Sequence, residues 1–416
     1  MGLTTIGQSM LATAVPLLAV ALGLAPAWVG ILVALPNVLP VALGMRAGGR
    51  IDRGGAGRWL AGGVAGMATA PLLLALAPQA AALALAQVLL GASQMVAALA
   101  SQAYVADATP RGGLERAYAT YATFLSAGRL VGPVTVGIAI DAAGFRVAFA
   151  AAGAAMVAAW FVVAHLRRIA APPAARAKSD DAPPRGEAHG AEPPDGATPG
   201  PDDPGSAPST DRPFGVRDAW RNVGVQLAVL ASSAVFVAIS VRQAFLPVVL
   251  DDVGFRASEI GLLVSMGGVA SVTLRPLMPV VSRLLGGPAR TLAVSLGLLT
   301  VGVGGLGLVS SFGAFTVLAL LAGAATGFGN PLSIVTVAQH VSSDDRGTAL
   351  GLRMASNRAA QLVAPIVVGG LIGTAGFAVG FGAVGVLLAV ATAAVVARVP
   401  AYERAATPPD VVRSES

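Results

Sequence analysis

The chain has no cysteine, a single lysine, and few charges of any kind for its length. Each shortage excludes something. Without cysteine there are neither disulfides nor thiolate metal sites. Arginine supplies 26 of the 27 basic residues, which beside abundant alanine and glycine reads as a GC-rich coding bias. The net charge of +6 therefore does not indicate a nucleic-acid partner. Three histidines, His165, His189 and His340, lie too far apart in sequence to suggest a metal centre, and no cofactor is expected. No Gly-x-Ser-x-Gly and no His/Asp pair supports catalysis, so an intramembrane enzyme has nothing to stand on.

Charged residues make up only 12 % of 416, against 55 % hydrophobic and a mean hydropathy of +0.74. A soluble protein of this size needs far more charge to cover its surface. A membrane span takes about 20 apolar residues in a helix, because hydrocarbon leaves backbone groups no other partner. Long Gly/Ala/Pro-bearing stretches, rather than ten-residue alternation, argue for helices over a barrel. Spans are predicted at 3–23, 28–47, 59–78, 81–105, 118–140, 146–166, 222–249, 257–280, 290–310, 314–338, 349–373 and 377–398. The first has no basic region before it and is too long for a cleavable signal peptide. The expected fold is an all-α membrane protein of twelve transmembrane helices in two pseudo-symmetric six-helix bundles.

Alternate loops and the C-terminal tail hold 20 of the 27 basic residues, whereas the opposite loops hold only Arg146 and Arg256. Positive loops stay inside, which predicts an inner (plasma) membrane protein with both termini cytoplasmic. Residues 171–213 carry eleven prolines, no aromatic and mixed charge, the composition of a disordered linker. The expected units are a first bundle at 1–170, the linker at 171–213, a second bundle at 214–400 and a cytoplasmic tail at 401–416.

The halves overlay at an offset of 231 or 232. GLAPAWVGIL at 23–32 matches GFRASEIGLL at 254–263, LVGPVTVG at 130–137 matches LVAPIVVG at 362–369, and AGFRVAF at 143–149 matches AGFAVGF at 375–381. Two parallel six-helix repeats place a cavity near the bilayer midplane, between the halves. That arrangement suits a carrier that rocks.

After the second span comes Gly48-Gly49-Arg50-Ile51-Asp52-Arg53-Gly54-Gly55, with Arg58 beyond it. In the fifth, Gly128-Arg129-Leu130-Val131-Gly132-Pro133 is followed by Gly137. The first run resembles the loop signature G-x-x-x-D-R-x-G of the major facilitator superfamily, with Ala56 and Gly57 where basic residues are usual. The second resembles the G-x-x-x-G-P motif of that superfamily's exporters. The resemblance implies that Gly48, Asp52, Arg53, Gly55 and Arg58 form a gating loop. It also implies that Gly128, Gly132, Pro133 and Gly137 form a helix-packing motif. Ser282-Arg283 with Gly286, the counterpart in the second half, lacks the acid.

Polar residues inside spans are expensive and therefore candidates for function. Arg129, Arg242 and Arg358 lie deepest, while Arg275 and Arg353 are nearer the cytoplasmic ends, where Arg275 is expected to snorkel. Gln8, Asn37, Gln94, Asn330 and Gln361 complete the candidate cavity, with Gln361 three residues from Arg358 on one helix face. Gln87, Gly91, Gln94, Ala98 and Ser101 recur on one face of the fourth span, which either meets water or bonds to a neighbouring helix. All 21 acidic residues fall in loops, in the linker or at span ends, with Asp107 and Asp141 closest to the membrane. The superfamily's frequent intramembrane carboxylate is missing, and Gln87 stands where its fourth-span arginine would fall.

The reading is a secondary carrier exporting a small anionic or zwitterionic solute by alternating access. Alternatives are a proton-coupled multidrug antiporter, an organic-anion uptake carrier, and, in a different class, a non-transporting membrane sensor. The expected partners are a small-molecule substrate and the lipid bilayer, with a proton as the coupling ion left open; a monomer is expected.

Overall fold

The computed structural model describes residues 1–41, 56–109, 113–169, 216–341 and 345–406. Twelve α-helices follow one another. They are α1 (Gly2–Ala21), α2 (Pro26–Ala34), α3 (Ala56–Leu76), α4 (Ala80–Ala108), α5 (Leu114–Ile169) and α6 (Val216–Arg221). The second half continues with α7 (Val223–Val253), α8 (Ala257–Leu274), α9 (Met278–Leu284), α10 (Pro288–Gly304), α11 (Phe312–His340) and α12 (Arg346–Ala406). Of three 3₁₀ turns among the described residues, Leu35–Asn37 prolongs α2, Arg275–Leu277 joins α8 to α9 and Gly305–Leu308 follows α10.

Helices α5 and α12, at 56 and 61 residues, would each reach more than 80 Å if straight. That is over twice a hydrocarbon layer. Each is in fact two crossings folded at one glycine: Gly144 (φ 77°, ψ 178°) and Gly376 (φ 82°, ψ 173°). Only glycine occupies that region without strain. We call the limbs α5a (114–143), α5b (145–169), α12a (346–375) and α12b (377–406). Counting limbs, and taking α8 with α9 as one crossing, the described residues make twelve passes, the shortest of them Pro26–Val41. The last limb runs six residues past the expected boundary at 400 and buries Tyr402. The outer surface is apolar: Phe161, Val301, Val386 and Val390 are each more than half exposed, as lipid-facing residues must be.

The repeat is visible in the backbone. Gly144 and Gly376 are 232 residues apart, and a second pair of positive-φ glycines, Gly23 and Gly254, is 231 apart. Each of the latter ends a helix with the same pair of backbone bonds. Gly23 donates to Val20 and Leu24 to Ala19, as Gly254 donates to Asp251 and Phe255 to Leu250.

Prolines inside helices leave carbonyls unpaired, and the neighbouring polar side chains repair one of them. Pro36 has no N–H for the Leu32 carbonyl, and Gln87 Nε2 of α4 donates to that oxygen at 3.0 Å. Gly91, one turn on, lets the Pro36 backbone against α4. The stripe on α4 thus bonds to neighbouring helices at these positions, and Ser101 continues it by sharing a hydrogen bond with Tyr121 of α5a.

Candidate functional site

The halves meet along two seams that are repeat mates, α5a against α8 and α2 against α12a. Helix α1 also packs on α7. Glycine sets the distance in both seams. Gly261 lies so close to the Pro133 carbonyl, and Gly30 to the Pro365 carbonyl, that no β-carbon fits at either. One turn or so farther out, Gly137 meets the Ala257 carbonyl and Gly369 meets Pro26. These contacts lie toward the end of the molecule carrying Gly23, Gly144, Gly254 and Gly376, here the far side. The opposite end, where residues 170–215 join α5b to α6, is the linker side. Among the described residues, contact between α4 and α11 toward the linker side is nearly absent. The molecule is closed at the far side.

One side chain strengthens one seam. Asp141, at the far-side turn before Gly144, accepts the N–H of Ala257 at 3.1 Å (Oδ1) and of Ser258 at 3.0 Å (Oδ2). These are first-turn donors of α8, which have no partner within their own helix and carry its positive end. Desolvation at the seam pushes the carboxyl up. The Ser258 hydroxyl and N–H, the Ala257 N–H and the Arg256 charge outweigh it and hold the group below the ordinary carboxylate range. The mate seam has no such device. Gly373 stands at the repeat position of Asp141, and Pro26, which lacks an N–H, stands where Ala257 does.

The structure distributes the predicted site residues as follows. Gly128 and Gly132 face α1, against the Gly2 and Ile6 carbonyls, whereas Pro133 and Gly137 face α8. The motif therefore packs one helix against both its own half and the other. Just past the last seam contacts, where Ser265 Oγ donates to the Leu130 carbonyl at 2.8 Å, Arg129 is exposed toward the linker side. Arg275, about two turns beyond Gly268, is exposed as well and faces it from the other half, close enough for the two charges to interact. On the second seam Arg358 is exposed, and its Nη1 reaches Asn37 Oδ1 across the halves at 3.4 Å. Gln8, Gln94 and Gln361 are half-buried.

Arg242 lies inside the second half, with Nη1 buried and without a partner among the described residues. It occupies space that a glycine leaves free: a β-carbon at Gly267 would sit 2.6 Å from that nitrogen and 3.1 Å from the Ala319 carbonyl oxygen. Asn330 is engaged by Arg353, whose Nη2 donates to Asn330 Oδ1 at 2.6 Å and to its carbonyl at 3.2 Å. Ser333 Oγ accepts from both Nε and Nη2 of Arg353, at 3.0 and 2.7 Å. This arginine is 5 % exposed and ties α12a to α11.

Of the gating-loop residues, Gly48, Asp52, Arg53 and Gly55 lie outside the described residues, and Arg58 is exposed on the first turn of α3. Asp107 likewise has no described side chain. The sequence reading singled out neither the Asp141 contact nor the Arg353 network. The repeat held a signal for the first: between two matched stretches, Asp141 stands opposite Gly373.

The family model for the Major Facilitator Superfamily matches residues 1–287 and, a second time, 228–414. The chain belongs to that superfamily. No curated protein matches it in sequence. Similar solved structures include a bacterial homolog of the human lysosomal transporter Spinster, inward-facing and unoccupied, at 15 % identity and a TM-score of 0.72, covering 98 % of this chain and 96 % of that one. The nucleoside transporter NupG gives 14 %, 0.73, and coverage of 95 % and 96 %. A mutant of the peptide transporter POT gives 15 %, 0.75, and coverage of 97 % and 93 %. At these identities the likeness is one of fold. A major facilitator of two repeats and apolar, membrane-length helices is a multi-pass membrane transporter.

Proposed function

We propose that this protein is a secondary carrier that exports a small anionic organic solute by alternating access. The observation that carries the proposal is the charge at the interface between the halves. Arg129, Arg275 and Arg358 are exposed there, Arg242 stands one helix behind, and among the described residues no carboxylate charge reaches Arg129, Arg242 or Arg358. The Arg242 guanidinium, away from bulk water, requires a compensating anion or dipole, and the planar fork of arginine suits a carboxylate or phosphate.

The skew of basic residues toward the linker side supports a cytoplasmic linker, with both termini on that side. The described state, closed at the far side, is then inward-facing. Export is the direction favoured by the resemblance of Gly128 to Pro133 to the exporters' motif.

Solute counterflow in proteoliposomes tests the proposal. Anionic solutes exchange, cations do not, and Arg358→Gln abolishes exchange while leaving insertion and folding intact. Movement of organic cations by a fully active Arg358→Gln protein would overturn it and restore the multidrug-antiporter alternative.

A further inference from the structure

Resting on that reading, we infer that the solute carries at least two negative charges, held between Arg129 of the first half and Arg275 of the second, with Arg242 as a further cation. Arg129 and Arg275 stand on the two helices of the α5a–α8 seam, beyond its last close contacts at Leu130, Ser265 and Gly268. Both are exposed, and their charges interact. Closing the linker side swings the linker-side ends of α5a and α8 together and drives the two guanidiniums closer. Like charges in a site of reduced dielectric oppose that motion. An anion lodged between them converts the opposition into a bridge that spans both halves.

One negative charge is too few. Arg242 lies at the same depth, because Gly267, against which it rests, adjoins the Gly268 that touches Leu130, and Leu130 adjoins Arg129. The Arg242 Nη1, sealed from solvent, has no acceptor among the described residues. A monoanion shared by Arg129 and Arg275 leaves a net positive charge on the pair and nothing for Arg242. A phosphate monoester or a dicarboxylate offers two charges and several acceptor oxygens, enough for bidentate contact with two forks. The same logic makes loading a condition for closure: the empty carrier rests open to the linker side, and the dianion draws the halves together there.

The test uses the full chain in nanodiscs, with one spin-labelled cysteine introduced in each half on the linker side. The natural sequence contains no cysteine to interfere. The probes are inorganic phosphate, succinate and its monoanionic analogue succinamate, each titrated to tens of millimolar at pH 7.5. Phosphate and succinate should shift the distance distribution toward the closed linker side at concentrations at least ten-fold lower than succinamate. Arg275→Gln and Arg242→Gln should each erase that preference. Arg275→Lys and Arg242→Lys, which keep the charge, should retain part of it and control for folding.

Equal responses to succinate and succinamate, or no response to either dianion, would overturn the inference. So would a wild-type preference for dianions in Arg275→Gln. If monoanions exchange in counterflow and Arg358→Gln stops them, the anion carrier stands and only the charge requirement falls. If cations alone exchange, both fall.

Discussion

Replacing Asp141 by Asn perturbs the far-side closure without removing volume. The carboxylate bridges the halves with two charge-assisted bonds to Ala257 and Ser258. Hydrogen bonds to a charged group contribute about 1.5–3 kcal/mol each where solvent is excluded. Interaction with an exposed helix terminus contributes about 0.3–1 kcal/mol. Asp141 is exposed, so screening takes the pair toward the lower end of these ranges. Asparagine retains one acceptor and turns an NH₂ toward the second N–H. The loss is about 1–2 kcal/mol, which shifts the equilibrium between far-closed and far-open conformers by about 5- to 30-fold. Spin labels on cysteines introduced on the far side would read the shift directly, with Asp252→Asn as the control for a nearby exposed carboxylate that this seam does not use. The sign with pH follows from the depressed pKa of the latched carboxyl. Its contribution is complete above the ordinary carboxylate range and is lost only as pH falls through and below it. Between about pH 5.5 and 8 the latch is constant, so Asp141 is a poor proton carrier in this conformer. An unchanged distance distribution in Asp141→Asn, or a conformational midpoint near neutrality that the variant abolishes, would refute the reasoning.

Other outcomes follow from the same geometry. Gly137→Ala puts a methyl into the Ala257 carbonyl and should populate the far-open state even with Asp141 intact, in the same distance measurement. Arg353→Gln removes up to four hydrogen bonds from the α11–α12a contact, with an expected loss of about 2–4 kcal/mol. That loss reads out as a lower midpoint of thermal unfolding in detergent. Gln87→Leu leaves the Leu32 carbonyl unsatisfied at a cost of about 1–3 kcal/mol, read in the same thermal unfolding measurement.

How far the sequence could be read depended on whether a signal was local. The fold at Gly144 and Gly376 was legible because the AGF motif repeats and a glycine in that backbone region needs no distant partner. Orientation within a helix was harder. A span that is apolar on all sides has no solvent-facing stripe to fix its rotation, so nothing in the spacing said that Gly132 faces α1 while Pro133, the next residue, faces α8. Asn330 read as a cavity candidate and Arg353 as a residue near the cytoplasmic end, because 23 residues and a turn separate two atoms that lie 2.6 Å apart. Asp141 and Ser258 are 117 residues apart, and only the packed seam makes them partners.

The single latch makes the two seams unequal, and that gives the opening motion a direction. At the far end of the α2–α12a seam, Gly373 and Pro26 hold no ionic contact, so separation begins there against close packing, the Arg358–Asn37 bond lying toward the linker side. Along α5a and α8 it must also break the Asp141 bonds. The far side then parts like a book bound along the α5a–α8 spine, with the first gap on the α2–α12a edge. Which seam yields first is thus written by which copy of a duplicated segment kept a carboxylate.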